Sequence, residues 1–253
     1  MRPLDGRTAL ITGAAKAGGM GRAHALLLAE RGANVIAADI DGEGAAATAD
    51  AAARLGVKAR SVAADIRDFS AFRRALDTAS ADVGPVGILV NNAGVGGERL
   101  AFEDVDMAAF DRMFEVNVRG AFFLTQALVP AMKAAGWGRV INISSQFGVA
   151  GSSNASHYAG AKAALLGLTK TWARELGPFG ITVNAVAPGY IDTPMTARTA
   201  ADPARLEARL KSIPVGRKGE AIDISRAVAW LASEEAGFVT GQVLSPNGGE
   251  TIY

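Results

Sequence analysis

Residues 8–21 read TALITGAAKAGGMG, a short apolar run followed directly by a glycine-rich turn. A helical pattern runs from about Gly21 to Arg31, and a second apolar run covers Asn34–Ala38. Apolar runs of this length, bounded by glycine and separated by a helix, are typical of parallel strands joined by a crossover. The start of the chain therefore predicts a strand–helix–strand unit.

The same alternation continues along the rest of the chain. Further strands are predicted at Lys58–Ala63, Ile88–Asn91, Arg139–Ser144, Ile181–Val186 and Gln242–Leu244. Further helices are predicted at about Glu43–Leu55, Phe69–Ser80, Met107–Ala135, Ala155–Leu176 and Glu220–Ala232. Because most strands are continuous apolar runs rather than alternating ones, we expect an α/β fold. Its form is a Rossmann-type, doubly wound parallel sheet of about seven strands with helices on both faces.

The composition is that of a globular protein and excludes several kinds of site. Of 253 residues, 49% are hydrophobic and 20% charged, and the net charge of +1 favours neither nucleic acid nor a membrane as partner. The absence of cysteine excludes disulfides and cysteine-ligated metals. Neither His24 nor His157 has a metal-binding partner at helical spacing, so no metal is expected. We expect a cytoplasmic protein without a membrane span.

The glycine-rich turn is suited to a phosphate group. Glycines allow the backbone to approach a pyrophosphate closely, and the free N–H groups at the start of a helix attract its charge. Gly13, Gly19 and Gly21 are the candidates for close approach, with Met20 between the last two, and Gly18 is an alternative to Gly19. We therefore expect one nucleotide-binding domain over residues 1–253, with a substrate lid at about residues 190–212.

Asp39 ends the second strand, 18 residues beyond Gly21. A carboxylate at this position accepts hydrogen bonds from a ribose 2′-hydroxyl and repels a 2′-phosphate, which favours NAD(H) over NADP(H). Asp41 is the alternative acid, and nearby Lys16 and Arg22 offer charges that offset the carboxylate.

Asp65 ends the third predicted strand and is a candidate for binding the adenine amino group. Ile66 would then pack on the adenine ring, and Ile40 belongs to the same predicted site. The alternative for Asp65 is an ordinary solvated acid in a turn.

Residues 141–162, INISSQFGVAGSSNASHYAGAK, contain the chemically most informative residues. Tyr158 and Lys162 lie four positions apart on a predicted helix, so their side chains share one face. A neighbouring ammonium group favours the phenolate, so we expect Lys162 to lower the pKa of Tyr158 from about 10. In isolation, the pair would more simply be two exposed side chains on a surface helix.

Several motifs occur together, in a fixed order. They are NNAG at residues 91–94, NVRG at 117–120, Ser145 thirteen residues before Tyr158, Lys162, and PG at 188–189. With the glycine-rich turn, this series resembles the short-chain dehydrogenase/reductase family, and the resemblance spans nearly the whole chain. One departure is the turn itself, which has two more residues between Gly13 and the Gly19–Gly21 triplet than the family pattern.

The resemblance implies a role for each motif residue. Tyr158 would be the catalytic acid–base, and Lys162 would lower its pKa and hold the nicotinamide ribose. Ser145 would bind the substrate oxygen, and Asn117 would hold a water molecule in a proton relay. The remaining cofactor contacts would be Asn92, Ala93, Gly94, Pro188, Gly189, Ile191 and Thr193, the last on the carboxamide.

We therefore expect an oxidoreductase that transfers hydride reversibly between NAD(H) and a secondary alcohol or ketone. The alternatives are a 3-oxoacyl-carrier-protein reductase, a sugar or polyol dehydrogenase and, least favoured, a nucleotide-sensing protein without turnover. By resemblance, the assembly would be a homotetramer. The predicted substrate contacts are Ser145, Gln146, Phe147, Asn154, Tyr190 and Met195.

Overall fold

A computed structural model describes residues 2–197 and 203–252. The strands in these residues are β1 (Thr8–Thr12), β2 (Asn34–Asp39), β3 (Ala59–Ala63), β4 (Ile88–Asn91), β5 (Gly138–Ile143), β6 (Ile181–Val186), β7 (Ile191–Asp192), β8 (Gly219–Glu220) and β9 (Val243–Leu244). Seven of them form one parallel sheet in the order β3–β2–β1–β4–β5–β6–β9, and β7 pairs separately with β8.

The prediction of a doubly wound parallel sheet is confirmed, and all seven predicted strands are present. The predicted bounds of β1, β4 and β6 agree with the structure, whereas those of the other strands differ by one residue at one or both ends. The β7–β8 pair was not predicted, because each of its strands has only two residues and shows no pattern that distinguishes it from a loop.

The helices are α1 (Met20–Glu30), α2 (Gly42–Ala53), α3 (Phe69–Val83), α4 (Met107–Phe114), α5 (Gly120–Ala135), α6 (Gln146–Ala150), α7 (Ser156–Leu176), α8 (Pro203–Lys211) and α9 (Ala221–Leu231). Aspartates begin three of them: Asp41, Asp68 and Asp106 each accept a hydrogen bond from a backbone N–H in the first turn of α2, α3 and α4. The predicted long helix over 107–135 is interrupted by a π-helical turn at Glu115–Arg119.

Both faces of the sheet are buried, which explains the continuous apolar runs. In β1, Ile11 packs into the core that α1 and α9 cover, while Leu10 packs into the core on the opposite face. Val35 and Ile36 divide in the same way in β2. Successive strand residues point to opposite faces, so a strand covered on both sides has no polar face. None of the described helices is both long and apolar enough to cross a bilayer.

His24 links α1 to α9 in the interior. Its Nδ1 lies 2.7 Å from the hydroxyl of Ser225, and that hydroxyl donates its own proton to the carbonyl of Ala221. Nδ1 must therefore carry the proton and donate to Ser225. Burial lowers the pKa of His24 from 6.5 to about 3, because its charged form has lost water and gained no counter-ion.

This neutral histidine predicts a loss of stability in acid. Between pH 6.5 and 3 the unfolded chain binds a proton at position 24 that the folded chain does not. The free energy of unfolding should therefore fall with decreasing pH by about 1.4 kcal/mol per unit from this residue. His24→Asn retains a donor for Ser225 and cannot ionise in this range. Urea unfolding at pH 7, 6 and 5 should show a shallower pH dependence for the variant, and equal slopes would contradict the assignment.

Candidate active site

The carboxyl ends of β1, β2, β3 and β4 surround a cavity of about 530 Å³. Most of the predicted cofactor residues line it: Gly13, Gly19, Met20, Gly21, Asp39, Ile40, Asp65, Ile66, Asn92, Ala93, Gly94 and Thr193. Met195, predicted as a substrate contact, also lines this cavity. The structure therefore brings residues from distant parts of the sequence to one edge of the sheet, where ligands of such folds bind.

The start of α1 differs from the aspartate-capped helices. Gly19 occupies its N-cap position, no side chain bonds to its first N–H groups, and its first turn contains no acidic residue. Gly19, Met20 and Gly21, at this helix start, line the cavity together with Gly13. An uncapped helix start with its positive dipole end at a cavity fits the pyrophosphate of a dinucleotide.

Asp39 holds the enlarged glycine-rich loop. One carboxylate oxygen accepts a hydrogen bond from the N–H of Ala15 at 2.9 Å, and the other accepts from the N–H of Asp41 at 3.0 Å. Lys16, in the same loop, forms an ion pair with Asp41 at 3.3 Å rather than with Asp39. The Asp39 carboxylate thus has no cationic partner among the described residues, and each of its oxygens retains acceptor capacity for a further donor.

Asp65 forms an ion pair with a neighbouring arginine. Arg67 contacts both oxygens of the carboxylate, at distances down to 2.7 Å, and also donates its backbone N–H. This arrangement lowers the pKa of Asp65, chiefly through the side-chain hydrogen bond from Arg67. Asp65 nevertheless lines the cavity, as do Arg67 and Arg112, neither of which was predicted.

Lys162 is the charged member of the predicted catalytic set, and it is buried. It lies on α7, is only 4% exposed, and its ammonium group donates to the carbonyl oxygen of Ile143 at 2.9 Å. The backbone carbonyl of Lys162 accepts a hydrogen bond from Ser144 at 2.7 Å. These two bonds attach α7 to the end of β5. Burial lowers the pKa of Lys162 to about 8.

Tyr158 lies one turn before Lys162, and the lysine Nζ is 5.9 Å from the centre of the phenol ring. The two side chains therefore share one face of α7, as predicted. The expected direction of the pKa shift was wrong: burial raises the pKa of Tyr158 above 10, and the interaction with the Ser145 hydroxyl only partly opposes this. The reason is that the Lys162 ammonium is directed at Ile143, while the phenol has lost water.

Asn117 is placed by the π-helical turn. Its amide nitrogen donates to the carbonyl oxygens of Val95 and Met113 at 3.1 and 3.0 Å, while its Oδ1 is buried without a hydrogen-bond partner. A Cβ added to Gly94 would lie 2.5 Å from that oxygen and 3.2 Å from the Lys162 ammonium. An acceptor and a cation thus converge behind Gly94. Such an unpartnered buried oxygen fits the bound water predicted there.

Ser145 and its neighbours form the next part of the site. The Ser145 hydroxyl accepts a hydrogen bond from the N–H of Phe147 at 3.2 Å and so begins the short helix α6. Gln146 donates its N–H to the carbonyl of Pro188 at 3.0 Å, which joins the ends of β5 and β6. Phe147 is partly buried, and Asn154 is exposed with a left-handed backbone at φ 58°.

Five of the predicted cofactor residues do not line the cavity. Lys162 lies behind Gly94, and Tyr158 lies one turn earlier on the same helix. Ile191 packs in the core, and Pro188 and Gly189 contact α6 and the segment before Asn247 through their backbones. The five predicted cofactor residues outside the cavity lining are therefore Tyr158, Lys162, Pro188, Gly189 and Ile191.

The predicted lid contains a helix that was not predicted from the sequence. The described part of residues 190–212 includes β7, a short helical turn at Pro194–Thr196, and α8, whereas residues 198–202 lie outside the described residues. On α8, Arg209 lies with its guanidinium carbon 5.5 Å from the ring centres of both Phe147 and Tyr190. It also forms a 2.8 Å ion pair with Glu250. The polar sequence of α8 indicated a loop. The contacts that hold the helix in place come from residues that are distant in the sequence, such as Phe147 and Glu250.

The chain is similar to proteins that are already described. A family model described as enoyl-(acyl carrier protein) reductase matches residues 13–251. Among curated proteins, a 3-oxoacyl-(acyl-carrier-protein) reductase of Thermotoga maritima is 39% identical, with 98% of this chain and 99% of the relative aligned.

Two similar solved structures contain different nicotinamide cofactors. A 7α-hydroxysteroid dehydrogenase complexed with NADH and 7-oxo glycochenodeoxycholic acid is 36% identical, with a TM-score of 0.92 over 97% of this chain and 94% of that one. A protein of Agrobacterium tumefaciens with bound NADP, described as a 2-deoxy-D-gluconate 3-dehydrogenase, is 37% identical, with a TM-score of 0.86 over 98% and 97%.

Proposed function

The chain belongs to the short-chain dehydrogenase/reductase family of oxidoreductases, and on this premise we propose that it transfers hydride between NAD(H) and a secondary alcohol or ketone. The observation that carries the proposal is the convergence of four side chains beside the cavity. Tyr158 and Lys162 share one face of α7, and the unpartnered oxygen of Asn117 lies next to the Lys162 ammonium across Gly94. Ser145 interacts with the phenol.

A bound nicotinamide would supply the hydride chemistry, and the residues of this chain would bind, orient and move the proton. In the oxidation direction, the Tyr158 oxygen takes the proton of the substrate hydroxyl, while the Ser145 hydroxyl holds the substrate oxygen. Each pKa unit corresponds to about 1.36 kcal/mol, so the raised pKa of Tyr158 must be lowered substantially before the phenol acts as a base near neutral pH. The positive charge of a bound, oxidised nicotinamide, together with that of Lys162, would provide this change.

Proton exit is assigned to the groups behind Gly94. A water held by Asn117 Oδ1 would lie within reach of the Lys162 ammonium, whose pKa of about 8 suits proton exchange near neutral pH. Because Lys162 also bonds to Ile143, its position is fixed while protons move.

The NAD(H) preference is a proposal based on Asp39. Its carboxylate lies at the end of β2 on the cavity, with acceptor capacity for ribose hydroxyls and no neutralising cation among the described residues. The relatives use no single cofactor, since one solved relative holds NADH and another holds NADP.

Two related activities are the alternatives. Reduction of a 3-oxoacyl group on a carrier protein is favoured by the name of the Thermotoga maritima relative, and sugar-acid oxidation by that of the Agrobacterium tumefaciens protein. A spectrophotometric screen of ketones, acetoacetyl thioesters and sugar acids with all four nicotinamide forms separates these activities. Tight NADH binding without turnover of any substrate would instead support a nucleotide-sensing protein.

Three further properties belong to the proposal. They are the homotetrameric assembly, the cytoplasmic location and the action of residues 190–212 as a lid over the substrate. Sedimentation of the purified protein tests the first, because a tetramer of a 25.9 kDa chain differs clearly in mass from a monomer or a dimer.

Tyr158→Phe tests the proposed acid–base. The substitution removes one hydroxyl and keeps the ring, so NADH binding should persist while turnover falls by at least about 10³-fold, the upper range for a positioned proton donor. Steady-state kinetics with the best ketone and NADH fluorescence titration provide the two measurements. A fully active Phe variant would exclude Tyr158 as the acid–base.

Asp39→Asn tests the cofactor preference. Removing the charge should weaken the contact to the ribose hydroxyls and relieve the repulsion of a 2′-phosphate. The ratio of kcat/KM for NAD⁺ to that for NADP⁺ should therefore fall about tenfold to hundredfold. Asp41→Asn is the comparison, since Asp41 is the alternative acid. If the ratio changed only in the Asp41 variant, the role assigned to Asp39 would be wrong.

A further inference from the structure

The ring of Phe147 is flanked by two guanidinium groups from different parts of the chain. Arg99, from the loop after β4, has its guanidinium carbon 5.6 Å from the ring centre, and Arg209, from α8, lies at 5.5 Å. Phe147 is only two residues beyond Ser145, and its N–H bonds to the Ser145 hydroxyl. Both cations therefore flank a ring whose own backbone is bonded to the residue proposed to hold the reacting oxygen.

The two arginines differ in how their charges are compensated. Arg209 forms an ion pair with Glu250, and the same carboxylate accepts hydrogen bonds from Gln146 at 2.8 Å and from Ser212 at 3.4 Å. Arg99 donates one hydrogen bond, to the carbonyl oxygen of Ser153 at 2.9 Å, and none of the described carboxylates lies within ion-pair distance of it. One positive charge at this ring is thus left without a counter-ion.

The backbone around Arg99, an exposed residue, is joined to the segment that precedes α7. The loop that carries Arg99 starts at the cavity-lining residues that follow β4, and its Leu100 N–H donates to the carbonyl oxygen of Asn154, 3.1 Å away. Asn154 lies four residues before Tyr158. The loop therefore bridges from the cofactor cavity to the start of α7, and the bond to Ser153 turns the arginine side chain towards the same segment.

We propose that Arg99 binds a carboxylate carried by the substrate, so that the enzyme acts on hydroxy acids and oxo acids in preference to neutral alcohols and ketones. This inference rests on the proposed hydride transfer and adds the substrate class. Arginine has five N–H donors in a planar fork, and only one of them is used within the described residues. The remaining donors match the geometry of a carboxylate, and Phe147 provides an apolar surface for the carbon skeleton between the carboxylate and the reacting carbon.

Matched acids and esters provide the test. The probes are 4-oxocyclohexanecarboxylate and acetoacetate, each against its methyl ester, with NADH and the full-length enzyme. For the wild type, kcat/KM should favour the acid. In Arg99→Gln, kcat/KM should fall about tenfold to hundredfold for the acid and less than about threefold for the ester. Arg99→Lys should restore part of the acid rate, because it returns the charge without the fork. Arg54 is an exposed arginine at the C-terminal end of α2, so Arg54→Gln is the matched control.

The outcomes separate this inference from the proposed function. An unchanged acid-to-ester ratio in Arg99→Gln would overturn the inference while leaving hydride transfer intact. Acetoacetyl-coenzyme A and the neutral acetoacetyl-N-acetylcysteamine thioester form a third pair. If Arg99→Gln affected only this pair, Arg99 would bind a phosphate of the carrier rather than a substrate carboxylate, and the inference would be wrong.

If no pair is turned over, the proposed function fails for these skeletons, and calorimetric binding of the acids then decides the inference. Weaker acid binding in Arg99→Gln than in the wild type supports it. Equal binding, or no binding to either protein, contradicts it.

Discussion

The hydrogen bond from the buried Lys162 ammonium to the carbonyl oxygen of Ile143 determines the geometry of the site. It connects α7 to the carboxyl end of β5, and the Ser144 bond to the Lys162 carbonyl reinforces the connection. A buried ammonium group is costly, and the lowered pKa of Lys162 reflects that cost. The bond therefore fixes where Tyr158 stands relative to Ser145 and the cavity, because all three depend on how α7 meets the sheet.

Two features with unsatisfied polar groups lie close to this connection and the cavity. The Asn117 Oδ1 atom is buried without a partner next to the ammonium, and the first turn of α1 has no capping side chain at the cavity. By contrast, aspartates cap α2, α3 and α4, and the sheet is covered on both faces by apolar side chains. Local rules of stability are thus broken where a cofactor, a water molecule and a substrate would supply the missing partners.

The sheet and most of its boundaries were predictable from sequence, because doubly covered strands have a strong apolar signal and glycine or aspartate marks their ends. The candidate site residues were predicted from motif order. The π-helical turn that places Asn117 was not predicted, since its residues fit an ordinary helix. The pKa direction of Tyr158 was wrong because spacing along a helix shows neither burial nor the group that Lys162 bonds to. Arg99 and Arg209 meet Phe147 only through tertiary structure.

The central claim is that the phenol of Tyr158 is a poor base in the free protein and becomes an effective one when the oxidised, positively charged cofactor binds. The chain has three tyrosines, so ¹³Cζ-tyrosine NMR gives few signals, and Tyr158→Phe assigns the relevant one. A pH titration should show Tyr158 with a pKa above 10 in the free protein and a clearly lower pKa with saturating NAD⁺. The same pKa in both states, or one below 10 without cofactor, would contradict the account.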